Sequence, residues 1–124
     1  MDYRPAPSAA PTPYVAPYDT LNFFISETAG VLAPNLIIDT SGGAVVCTFS
    51  TIATGLYEIV ISGGFNIFGL MISSCQRAGS FSPNICTIEQ TSTVSLSFFV
   101  QDHVTGNYQS DWLRLNLTIY VKKT

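Results

Sequence analysis

From Leu113 to Val121 an apolar residue falls at every second position: Leu113, Leu115, Leu117, Ile119 and Val121 alternate with Arg114, Asn116, Thr118 and Tyr120. Successive side chains of a β-strand point to opposite faces, so this run has one face fit for a core and one fit for water or a polar partner. On a helix the same residues would be scattered around the whole circumference. The pattern recurs where Val94, Leu96, Phe98 and Val100 alternate with Ser95, Ser97, Phe99 and Gln101. No segment of ten or more residues carries a 3.6-residue period. A strand that is apolar on one face must bury it against a second layer, and with no helix to supply one, that layer is another sheet.

Six further runs rich in β-branched and aromatic residues complete the pattern. The eight expected strands are Leu21–Ile25, Leu36–Asp39, Ala44–Phe49, Leu56–Ser62, Phe65–Ser73, Ile85–Gln90, Thr93–Asp102 and Leu113–Lys122. Turns are marked by Ser41-Gly42-Gly43, Ser62-Gly63-Gly64 and Thr105-Gly106-Asn107. The run from Phe65 to Ile72 is apolar on both faces, which suits a strand buried in the sandwich and against a neighbour. The expected fold is all-β: a two-sheet β-sandwich of eight strands, with a jelly roll the first topology and an immunoglobulin-like sandwich the second. At 124 residues there is room for one such domain, placed at 19–124.

Residues 1–18 are different. Five of the seven prolines stand at positions 5, 7, 11, 13 and 17, among alanines and tyrosines. Such spacing removes backbone donors and fixes φ, so the segment reads as an extended, polyproline-like arm rather than helix or inner strand. Tyr3, Tyr14 and Tyr18 are aromatic anchors, Arg4 is a charged donor, and with Pro5 they form the expected partner-binding set.

Charged residues are only 10% of the chain although apolar ones are 47%. The deficit falls on the surface, and an exterior of Ser, Thr, Asn and Gln with so little charge is suited to being covered by other copies or other proteins. The net charge is −3 and the only basic cluster is Lys122-Lys123, which speaks against a nucleic-acid partner. No secretory signal is read at the N-terminus, and the apolar stretch around Ile59 to Ile72 is too short and too broken by Ser62, Gly63, Gly64 and Asn66 for membrane insertion.

Catalytic chemistry finds little material. His103 is the only histidine, and its neighbour Asp102 is poorly placed to orient it, so neither a serine nor a cysteine triad is expected. Cys47, Cys75 and Cys86 have no CxxC or CxxH spacing and suggest no zinc site. Cys75 and Cys86 could clip a loop, three free thiols being the simpler reading, and Cys47 reads as a small core residue. Glu58, inside an apolar run, should face outward or pair with Arg77 or Arg114. Asp102, Asn107 and Asp111 offer oxygens for calcium, but turn residues of this kind ordinarily cap backbone. Asn116-Leu117-Thr118 matches a glycosylation sequon in mid-strand. No catalytic residue, cofactor or metal is therefore expected. Phe81, His103, Tyr108 and Trp112 form a possible loop contact surface for a glycan or receptor.

The segment Thr54-Gly55-Leu56-Tyr57-Glu58-Ile59, with the glycine hairpin after it and a terminal strand entered through Ser110-Asp111-Trp112-Leu113, resembles the trimeric jelly rolls of the C1q and tumour-necrosis-factor type. Domains of this style also form spikes, fibres and penton-like parts of virus and phage particles. The resemblance covers the C-terminal two thirds. It implies a non-enzymatic minor capsid, penton, decoration or spike-base subunit, assembled in the host cytoplasm and located in the virion, whose arm reaches neighbouring subunits. A carbohydrate- or receptor-binding β-sandwich is the alternative.

Overall fold

A computed structural model describes residues 17–77 and 84–124, side chains excepted at 73–77 and 113. Eight strands follow one another: β1 Asp19–Thr28, β2 Val31–Asp39, β3 Val46–Ala53, β4 Leu56–Ser62, β5 Phe65–Arg77, β6 Asn84–Gln90, β7 Ser95–Asp102 and β8 Trp112–Lys123. They form two antiparallel four-stranded sheets, ordered β2-β1-β8-β5 (sheet A) and β3-β4-β7-β6 (sheet B). This is the all-β, two-sheet sandwich of eight strands that the alternation requires.

Local hairpins make the rims, β1 with β2, β3 with β4 and β6 with β7, while the centre of each sheet is a long-range pair. In sheet A that pair joins Leu21 to Ile119 and Phe23 to Leu117; in sheet B it joins Tyr57 to Phe98 and Ile59 to Leu96. Central strands contribute most of the core. Leu21, Phe23 and Ile25 of β1 face Leu115, Leu117, Ile119 and Val121 of β8 within sheet A, and across the sandwich meet Tyr57, Ile59, Ile61, Leu96, Phe98 and Val100. Each such side chain removed from water stabilises the fold by roughly 1.5–3 kcal/mol, so the two central pairs dominate the hydrophobic term.

The strand bounds differ from expectation where local exceptions outweigh pattern. β2 begins at Val31, not Leu36, because a two-residue turn, Ala29-Gly30, closes a tight hairpin with Thr28 opposite Val31. Both turn residues have positive φ, 51° and 85°, as the hairpin turn matching strand twist demands. Alanine concealed that turn. Pro34 lies within β2 and is tolerated because β2 is an edge strand. β3 lies later than expected, at Val46–Ala53, since Ala44 and Val45 belong to the approach from the turn.

β5 does not lie in the middle of a layer. It is the other edge of sheet A, and its doubly apolar character has a local origin: the pairing steps from Ile67 opposite Val121 to Gly69 opposite Tyr120, leaving Phe68 as an extra residue. Phe65 and Ile67 are buried, whereas Phe68 is 58% exposed. The outer face of β5 is bare.

Candidate interaction surface

Both sheets of the sandwich expose apolar residues at their edge strands: on sheet B, Val46 is 54%, Ile52 57% and Ile85 48% exposed. Across sheet B one register row runs Ser50, Glu58, Ser97 and Glu89, a polar and acidic band suited to water. Glu58 faces out here with neither arginine beside it in the row. The corresponding row across sheet A runs Ile38, Asn22, Thr118 and Met71. Its middle is polar and self-satisfied, Asn22 Nδ2 donating to Asn116 Oδ1 at 3.1 Å and to Thr118 Oγ1 at 2.9 Å. Its rims are apolar: Ile38 is 49% and Met71 51% exposed. Ile37 and Leu36 add further exposed apolar surface along β2. Towards one end Phe24 carries the Arg114 guanidinium over its ring at 5.2 Å.

Towards the other end three aromatic rings gather. Tyr18, immediately before β1, lies 5.3 Å from Phe68 and 5.4 Å from Tyr120 between ring centroids, the second contact edge-on at 85°. Gly69 stands opposite Tyr120, and a Cβ there would come within 3.4 Å of Tyr120 Cδ2. With no side chain at 69 the floor stays low, and Tyr18, Phe68, Gly69, Leu70 and Tyr120 enclose a shallow recess of about 310 Å³. Of the expected arm contacts, Tyr18 therefore packs against its own sheet, while Tyr3, Arg4, Pro5 and Tyr14 lie outside the described residues.

The members of the expected loop surface have different placements. His103 and Tyr108 are exposed, Tyr108 stacking on Phe99 at 6.1 Å between centroids. Phe81 lies outside the described residues. Trp112 must be removed from the set, because it is 1% exposed and packs edge-on against Tyr57 and Phe98 in the core. The cause is visible in the register: Arg77 pairs with Trp112 while Gln76 pairs with Arg114, so an irregularity turns the tryptophan inward.

Of the residues weighed for calcium, Asp102 and Asp111 each bind backbone through Oδ1. Asp102 Oδ1 accepts from Val104 N–H at 2.8 Å and Thr105 N–H at 3.0 Å, capping its own loop, and Asp111 Oδ1 accepts from Ala29 N–H at 2.8 Å. Among the described residues no group of three or more His, Cys, Asp and Glu is gathered for a metal. The side chain of Cys75 lies outside the described residues, so the clip to Cys86 has no geometry. Cys47 lies on the inner side of β3, and burial first, then the Asp39 carboxylate, pushes its thiol up to about 11.

One cluster escaped sequence reasoning. Glu27, at the end of β1, is buried at 2% exposure; its Oε2 accepts from the Tyr57 hydroxyl and its Oε1 from Gly30 N–H at 2.6 Å. Trp112 Nε1 in turn donates to the Tyr57 oxygen at 3.0 Å. The Tyr57 hydroxyl is pushed well above its ordinary range, by burial and then by the adjacent Glu27. The only sequence signal was that Glu27 continues the inward series Leu21, Phe23, Ile25. Sealed from solvent on every member, the cluster joins β1, β4 and β8 and holds the β1–β2 turn; it has no face open to a substrate.

Among the described residues no helix is long and apolar enough to cross a membrane. In comparisons with known proteins, no family model, no curated protein and no solved structure matches the chain.

Proposed function

We propose that the chain is a non-enzymatic structural subunit of a virus or phage particle, of the minor capsid, penton, decoration or spike-base kind, assembling with copies of itself and with other particle proteins. The observation that carries this reading is the exposed apolar surface along the edge strands of the sandwich. Sheet A exposes Ile38, Met71 and Phe68 around a polar centre in which Asn22 donates to Thr118, and sheet B exposes Val46, Ile52 and Ile85 at its edge strands. Exposed apolar side chains gathered along the edges suit a surface that becomes covered, and the sparse charge of the chain removes the usual barrier to association. Sedimentation of the purified chain tests it: a concentration-dependent oligomer is expected, together with recovery of the chain in purified particles. A monomer at every soluble concentration overturns the assembly reading.

The second reading, a glycan- or receptor-binding module, is favoured by the stack of the exposed Tyr108 on Phe99, since an exposed ring can accept a sugar face. A monomer that binds a glycan array, and loses binding on Tyr108→Ala, would support it.

A further inference from the structure

We propose that the proline-rich arm of one copy docks, in polyproline conformation, into the aromatic recess on the outer face of sheet A of a second copy. This rests on the assembly reading and names its contact.

Three features of the recess fit that occupant. Its walls are aromatic, with the rings of Tyr18, Phe68 and Tyr120 set at differing angles, and aromatic-lined grooves receive pyrrolidine rings with little ordering cost because a polyproline segment is already extended. Its floor at Gly69 lets a backbone approach. The Tyr18 and Tyr120 hydroxyls are available in type to donate to carbonyls that a polyproline segment leaves without internal partners. Charge agrees as well: none of the five lining residues is an Asp, Glu, Lys, Arg or His, and neither is any residue from Pro5 to Pro17.

Geometry favours a second copy over the chain's own arm. Tyr18 is a wall of the recess, so the arm leaves the fold from that wall and would have to reverse sharply to fill it, which prolines at 11, 13 and 17 oppose. An extended arm of residues 1–16 reaches about 50 Å at ~3.1 Å per residue. A domain of this size is roughly 35 Å across, so the arm outreaches its own domain.

Photo-crosslinking in the full chain tests this. p-Benzoylphenylalanine replaces Tyr3 or Tyr14 in one preparation, which is mixed with isotopically heavy, unmodified chain and irradiated; mass spectrometry then locates the adducts. The expected result is a light-to-heavy crosslink on residues 65–72 or on Tyr120, lost in heavy chain carrying Phe68→Ser and in heavy chain carrying Gly69→Leu. Phe68 is largely exposed, so F68S keeps the fold, and Trp112 emission verifies this. Crosslinks confined to a single chain, or falling elsewhere, overturn the docking. Sedimentation separates the two failures. An oligomer without the recess crosslink defeats the docking and leaves assembly standing, whereas a monomer defeats both.

Discussion

Glu27, Tyr57 and Trp112 show what a buried carboxylate needs in order to persist in a sandwich core. The tyrosine hydroxyl and the Gly30 amide satisfy its oxygens, and the indole satisfies the tyrosine. Removing the hydroxyl leaves a buried carboxylate short of a donor and the indole N–H short of an acceptor. Tyr57→Phe should therefore lower unfolding free energy by about 1–3 kcal/mol in urea titration; unchanged stability would mean that the cluster contributes nothing. The same hydroxyl gives an alkaline signature. Its pKa is raised in the folded state, so the folded state prefers the protonated form. That stabilisation is complete below its ordinary value of 10.0 and is lost as pH rises beyond it. Stability measured upward from pH 9 should decline in the wild type and decline less in Tyr57→Phe. Cys47 offers a parallel test: with its thiol raised from 9.0 to about 11, alkylation of Cys47 at pH 8, followed by peptide mass, should lag far behind that of the unfolded chain. Little of this was legible in the sequence. Trp112 reads as part of a loop contact surface until the irregular pairing at its position is known, and Glu27 lies beyond the expected first strand until the inward alternation is carried to the turn that follows.

At the scale of elements, alternation made the strands legible and exceptions blurred their ends. All eight runs mark real strands, because period two in β7 and β8 is set by the core itself. The hidden parts were an Ala-Gly turn with an alanine at positive φ, a proline inside an edge strand, and the extra residue at Phe68. The hairpin between β4 and β5 was plain from its glycines, and one of them is irreplaceable on steric grounds. Gly63 has φ 116°, and a Cβ there would lie 2.1 Å from the Ala44 carbonyl oxygen. Gly63→Ala should thus destabilise the domain measurably in thermal melts, whereas alanine at Gly42, with nothing within 4 Å, carries only the penalty of its backbone angle. β2 invites the opposite experiment. From Val31 to Ile38 it has no charged residue, leaving its outer edge without the lysines that commonly discourage pairing. Ile38→Lys should leave stability within about 0.5 kcal/mol and shift sedimentation towards smaller species; an unchanged sedimentation profile would remove β2 from the assembly surface.

For the whole molecule, the scarcity of charge sets how association responds to solvent. In the proposed assembly, contacts made by the uncharged side chains of Phe68, Met71 and Ile38 would involve no ion pairs, so screening would have little to act on. The oligomer should persist as sodium chloride is raised and tighten in sulfate, which strengthens apolar burial; dissociation by moderate salt, seen by light scattering, would point instead to charged contacts. The placement of β8 has a different consequence, one that concerns synthesis. It lies between β1 and β5 at the centre of sheet A, yet it is the last of the eight strands to leave the ribosome. Until it emerges, β1 has only β2 beside it, and β5 has no neighbour within its sheet. The nascent chain must then carry β5 unpaired within its sheet from its own emergence until β8 follows, and sheet A closes only after the eighth strand is free. Long-range closure of this kind is slow, which makes timing part of how this fold is reached.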